Sequence, residues 1–327
     1  RNTGIRKDAQ IIVSGVAHFS KLNCSDWLGV GMNNLRAVEI NDDNSMNLNH
    51  LETILDDCHK QDKPIAMICC TTGTTDAFGV DDVKGIVELR DAFAEKHKLD
   101  YTPHIHADSV IGWSWMAYKD YDFLANPLGL PEELKSDIRA VAEKFKHIHL
   151  ADSIGIDFHK TGFAPYISSL FLLKNGDDFE LLKRPTEEEA YLFHFGAYNP
   201  GEYSLESSRS SNGALSAWAN LKLFGIEGYQ VILAWLVEAE RILRQKINSR
   251  EDMVVINLDD HGLVTLYRVY PPGIDAKTTY PRELKGDMDD QILKYNSYLF
   301  KVSAEINRRQ REENGPFLSF TSNHRLN

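Results

Sequence analysis

The residues Ile65-Ala66-Met67-Ile68-Cys69-Cys70 form an unbroken apolar run of strand length, entered through Lys63-Pro64 and left through the turn cluster Thr71–Gly79. A run without alternation is what a strand covered on both faces requires. Helical patterns flank it. Upstream, Leu48, Leu51, Ile54, Leu55 and Cys58 recur at three- and four-residue spacing. Downstream, Asp81-Asp82 supplies an N-cap signal for a helix that buries Val83, Ile86, Val87 and Ala94. Ile11–Val13, His104–Asp108, His147–Ala151 and Ser168–Leu173 are further strand-like segments. Strands alternating with helices predict βαβ units, hence an α/β fold with a mostly parallel sheet flanked by helices.

The pattern changes towards the C-terminus. Asn126–Lys146 reads as a polar, helix-rich insert between strands. A long helix is expected from Ser216 to about Ile247, with Val231–Val237 as its most buried stretch. Short strands at Met253–Leu258 and Leu263–Val269 and a helix around Asp289–Asn307 then suggest a smaller α+β domain. The expected division is a large domain over 1–222 and a small C-terminal domain over 223–327.

Composition excludes some partners. Val231–Val237 is also the longest wholly apolar run, seven residues against the ~20 that span a bilayer. The net charge of −12, from 36 basic and 48 acidic residues, argues against a nucleic-acid or anionic-membrane partner. The 4 cysteines include no CxxC pair, and Cys69 and Cys70 point to opposite faces of their strand. A reducing, cytoplasmic setting is the expectation.

Open α/β sheets bind ligands at the carboxyl ends of their strands. The strand-like segments here lead into Thr71-Thr72-Gly73-Thr74-Thr75, Asp108-Ser109, Asp152-Ser153 and Asp157-Phe158-His159-Lys160. Hydroxyls, carboxylates, a histidine and a lysine therefore converge on one edge. His104-x-His106-x-Asp108 and His147-x-His149 invite a metal reading, but a further ligand at firm spacing is lacking, so no metal is expected. Trp113, Trp115, Tyr118 and Tyr121 are better read as core or contact residues than as a substrate pocket.

The segment from Ala151 to Pro165, with Ser153, Asp157, His159 and Lys160, resembles the lysine motif of the group II pyridoxal-phosphate (PLP) decarboxylases and their C–C lyase relatives. Three more segments match in order. His104–Ser109 looks like the family's acidic strand end, with Asp108 52 positions before Lys160. Thr71–Thr75 looks like its Thr-x-Gly-Thr-Thr turn, and Ser14–Ser20 like the segment bearing the ring-stacking histidine. Glu206-Ser207-Ser208-Arg209 resembles a joint found further along the family's chains. The resemblance covers nearly the whole chain and implies the fold-type-I PLP architecture.

The resemblance also implies roles. Lys160 would hold PLP as a Schiff base, and Asp108 would pair with the pyridine nitrogen. His18 would stack on the ring, Thr71 would contact its substituents, and Ser153 and His159 would donate to the phosphate. Tyr191, 31 residues after Lys160, would be the acid that protonates Cα, with Tyr198 and Tyr203 as fallbacks. The activity implied is decarboxylation of an L-amino acid to its amine through a quinonoid intermediate, in a homodimer with the active site at the interface. Two other readings stand beside it: a Cα–Cβ lyase similar to the sphingosine-phosphate lyases, and a catalytically silent homologue acting as a scaffold. The family's Ser-Gly-Gly phosphate turn, its preceding arm and the end of its small domain have no counterpart among these 327 residues. This chain is therefore expected to be part of a longer protein.

Overall fold

A computed structural model describes residues 6–183, 203 and 210–321. Six strands form the main sheet: β1 (Gln10–Ser14), β2 (Leu35–Val38), β3 (Ile65–Thr71), β4 (His104–Asp108), β5 (Ser153–Asp157) and β6 (Ser169–Leu173). Their order is β2-β1-β3-β4-β5-β6; all neighbours run parallel except β5 and β6. The chain passes from β1 outward to β2 and then crosses back to β3. The order therefore reverses between β1 and β3, which is where such sheets open a crevice.

Side chains alternate across the sheet, and its two faces differ in chemistry. Ile12, Ile68 and Ile105 lie in register, with Cys70 beside Ala107, on a face buried in the main core. Covering that face are α2 (Leu48–Lys60), α3 (Val83–His97) and α4 (Glu132–Phe145), through residues such as Leu51, Leu55, Ile86, Ile138 and Phe145. Each fully buried Leu or Ile contributes about 1.5–3 kcal/mol. The opposite face carries Cys69, Thr71, His106, Asp108, Ser153 and Asp157. The apolar run of β3 thus hides a polar-facing register at its carboxyl end.

Local signals explain the helix starts. The Asn47 side chain accepts from the N–H groups of Asn49 and His50 at the head of α2, and Asp82 accepts from Gly85 at the head of α3. Asp81 instead turns inward. Its Oδ1 accepts from Met46 N and its Oδ2 from Thr71 N, both at 2.6 Å, tying the loop before α2 to the end of β3.

Three expectations need correction. His147–Ala151 is not a strand: a 3-10 turn at Ile148–Leu150 closes α4, and pairing with β4 begins only at Ser153. Val231–Val237 is not buried throughout. It lies in α5 (Asn212–Asn248), where Leu233, Ala234 and Val237 form the inward stripe while Trp235 is 78% exposed. The expected strands beyond α5 shorten to β7 (Met253–Val255) and β8 (Tyr267–Val269), an antiparallel pair outside the main sheet. Two helices follow, α6 (Ala276–Leu284) and α7 (Asp289–Glu313). α5 leaves helical geometry at Gly225, with φ of 60°. Among the described residues no helix is long and apolar enough to cross a membrane.

Candidate active site

The site is assembled at the carboxyl ends of β1, β3, β4 and β5. After β1 the chain crosses close to β2: a Cβ on Gly15 would sit 2.8 Å from the Val38 carbonyl oxygen. His18 comes next, just before α1 (Ser20–Trp27). Its Nδ1 accepts from Ser20 N at 3.2 Å, which leaves the proton on Nε2. Burial pushes the imidazole pKa down, and the charges of Lys160 and Lys21 push it further. A neutral ring at pH 7 results. The same coupling sets Lys160, from beyond β5, and Lys21, from α1, in the field of His18.

Asp108 ends β4 with its side chain only 5% exposed. Its Oδ2 accepts from the Lys21 ammonium and its Oδ1 from Val110 N at 3.4 Å. Burial works to raise this carboxyl's pKa, but the charge and hydrogen bond of Lys21 prevail and hold it below the ordinary carboxylate value. Burial likewise opposes the Lys21 charge, yet the ammonium's pKa rises through Cys69 and Asp108. Since burial pushes the Cys69 thiol up to about 12, it is neutral at pH 7 and Asp108 is the operative counter-charge.

Thr71 ends β3, in register with Asp108. Its hydroxyl is buried and has no hydrogen-bond partner among the described residues, an orphaned donor of the kind that a bound group satisfies. The turn after it is rigid. Gly73 has φ of 102°, and a Cβ there would lie 3.0 Å from Gly112 N. Gly79 N donates to Thr74 Oγ1 at 2.8 Å.

Lys160 lies just beyond β5. Its Nζ is 3.2 Å from Asp157 Oδ2, and the same oxygen is 3.3 Å from His159 Nε2. Asp157 Oδ1 accepts from Ser169 Oγ at 2.6 Å. His159 stacks against Tyr166, ring centroids 4.0 Å apart, and its Nδ1 lies 2.9 Å from the Ser168 carbonyl oxygen. The lysine is thus aimed by a carboxylate that is itself fixed on both oxygens.

Of the residues expected from sequence, His18, Thr71, Asp108, His159 and Lys160 stand at strand ends bordering the crevice. Ser153 does not. It opens β5, four residues before Asp157, which at ~3.3 Å per residue is roughly 13 Å from that strand's carboxyl end. Its Oγ bridges His104 Nε2 at 2.7 Å and His106 Nδ1 at 2.8 Å, and burial lowers the His106 pKa to about 4. Its hydroxyl is committed to that histidine pair, so the expected phosphate role is withdrawn. Tyr191, Tyr198 and Glu206–Arg209 lie outside the described residues. Tyr203 packs edge-on against Phe179. Trp115, Tyr118 and Tyr121 belong to the main core, as expected of them.

Sequence reasoning missed one charged member of the site, Lys21, and gave Asp157, which it placed in the lysine motif, no role of its own. No signal marked Lys21, because α1 buries only Ser25 and has no apolar stripe to orient it.

A mostly parallel sheet with a neutral histidine, a buried acid and a lysine at the carboxyl ends of β1, β4 and β5 has the fold-type-I architecture. Mouse CSAD shares the fold at a TM-score of 0.69 and 18% identity, over 93% of this chain and 55% of that one. The profile of the pyridoxal-dependent decarboxylase conserved domain matches residues 137–268, which include Lys160. Over those residues the chain is similar to the pyridoxal-dependent decarboxylases. Among curated relatives, an L-tyrosine decarboxylase of Enterococcus faecalis is 27% identical over 255 residues, 73% of this chain and 40% of the relative. An aspartate 1-decarboxylase of Aliivibrio fischeri is 24% identical over 312 residues, 95% of this chain and 50% of the relative. The chain spans about half the length of the curated relatives it matches.

Proposed function

We propose that these residues form the cofactor-binding core of a PLP-dependent L-amino-acid decarboxylase, with Lys160 as the cofactor lysine. The observation that carries this reading is the convergence of Lys160, His18 and the buried Asp108 at the carboxyl edge of the sheet. The donor set fits the group. Lys160 offers an amine, Asp108 a desolvated carboxylate for a ring nitrogen, and Thr71 an unpartnered hydroxyl. Bound PLP supplies an electron sink for the pair left at Cα when CO2 departs.

The chain's own residues prepare that chemistry. Asp157 restrains the Lys160 amine beside His159. Asp108, held ionised, can stabilise positive charge at a ring nitrogen, and its burial makes that interaction stronger than in water. His18 presents an uncharged imidazole whose Nε2–H, without a hydrogen-bond partner among the described residues, can donate towards a substrate carboxylate while the ring lies against the cofactor. Tyr191 is our candidate for the proton donor to Cα. We further infer a homodimer: Phe19, Trp27 and Leu28, close to His18 in sequence, are 65%, 80% and 62% exposed, an apolar surface suited to a partner.

The test is CO2 release from a panel of L-amino acids by the full-length protein loaded with PLP. The expected result is CO2 and the matching amine in equal amounts, lost in Lys160→Ala. Aldehyde without CO2 would overturn the decarboxylase reading in favour of Cα–Cβ cleavage.

A further inference from the structure

Asp108 already has a cationic partner supplied by the fold. Lys21 reaches it from the first turn of α1, 87 positions earlier in the chain, and pairs with Oδ2. The two members differ in mobility. Asp108 is fixed at a strand end, 5% exposed, with its other oxygen facing Val110 N. Lys21 is 19% exposed and carries its charge on a flexible four-carbon stem, so it is the member able to leave. We propose that Lys21 is a built-in counter-ion which the cofactor's ring nitrogen displaces from Asp108, so that cofactor loading is a cation exchange at one buried carboxylate. This inference rests on the PLP reading of the site.

Two consequences distinguish exchange from simple support of the fold. First, Lys21 competes with the ring nitrogen, so removing it tightens binding of ligands that carry that nitrogen. Second, removing it leaves a buried carboxylate unpaired, which destabilises the free protein and enlarges the stabilisation gained from ligand. Lys160 has an independent partner in Asp157, so the amine that captures an aldehyde is untouched by the substitution. Val110 N still engages Oδ1 in the variant, which keeps the carboxylate oriented.

The experiment compares full-length wild type with Lys21→Met and Lys21→Arg. Equilibrium affinities are measured for PLP, for pyridoxine 5′-phosphate, which lacks the aldehyde, and for the 1-deaza analogue of PLP, which lacks the ring nitrogen. Lys21→Met is expected to bind the two pyridine ligands about tenfold more tightly or better, the factor of one hydrogen bond to a charged group. Its affinity for the deaza analogue should match wild type. Lys21→Arg keeps the counter-charge and should bind no ligand more tightly than wild type. Thermal shifts with saturating PLP should be larger in Lys21→Met, a readout that a misfolded variant would not give. Equal or weaker pyridine binding by Lys21→Met, with wild type binding normally, would overturn the exchange. Failure of every form to bind PLP would overturn the site reading itself.

Discussion

Replacing Asp81 should loosen the turn on which the site stands. This carboxylate is fully buried and accepts from Met46 N and Thr71 N, both at 2.6 Å. A buried N–H left without a partner costs about 1–3 kcal/mol. Asp81→Asn keeps one acceptor oxygen and should lose about that much, whereas Asp81→Ala strands both groups and should lose about 2–6 kcal/mol. The control is Asp82→Ala, which removes an exposed helix cap worth about 1 kcal/mol. Burial also lifts the Asp81 carboxyl from 3.8 to about 7, against the pull of its two backbone hydrogen bonds. Because the folded state keeps the proton longer, the stability from this group is present below pH 4 and is lost as pH rises through 7. The slope reaches about 1.4 kcal/mol per pH unit. The penalty of Asp81→Asn, measured by urea unfolding with tryptophan fluorescence, should therefore be larger at pH 5 than at pH 8. A cost for Asp81→Ala no greater than that of Asp82→Ala, or a penalty that widens with pH, would refute the reasoning.

Other substitutions probe separate parts of the account. Ser153→Ala removes the hydroxyl shared by His104 and His106, so urea unfolding should show a loss of about 1–3 kcal/mol while PLP affinity stays at the wild-type value. A selective loss of PLP affinity would restore the phosphate role to Ser153. Gly112→Ala would place a Cβ 2.2 Å from the Thr72 carbonyl oxygen and 2.4 Å from the Phe145 ring, and overpacking of this kind costs about 1–3 kcal/mol or more. Its unfolding midpoint should fall well below that of Gly176→Ala, where a Cβ meets nothing within 4 Å. Asp108→Asn should weaken binding of PLP but not of its deaza analogue, because only the former presents a basic nitrogen to that carboxylate. Equal loss for both would assign Asp108 a purely structural task.

Much of this architecture could be read from local pattern. The repeat from Leu48 to Cys58 lies within α2, whose first residue is Leu48, and Ile65–Cys70 is β3 but for one residue. Asp108 and Thr71 could be placed because each ends a strand whose apolar residues announce it, and Lys160 through the motif around it. The rest turned on contacts and element lengths that no single segment displays. Asp81 and Asp82 are adjacent acids, and only the approach of Met46 and Thr71 turns one inward while the other caps α3. His147–Ala151 mimics an alternating strand, yet closing α4 takes up these residues as a 3-10 turn. Ser153 shares a short segment with Lys160, but the length of β5 carries the two to different ends of the strand. The Lys21–Asp108 pair, 87 positions apart, leaves no trace in either local pattern.

The most direct test of the central claim is to locate the lysine that captures PLP. The full-length protein is loaded with PLP, reduced with borohydride, digested and analysed by mass spectrometry. The account predicts a single pyridoxyl-phosphate adduct on the peptide carrying His159-Lys160-Thr161, absent in Lys160→Ala. A stoichiometric adduct on another lysine, Lys21 included, or no adduct at all, would contradict it.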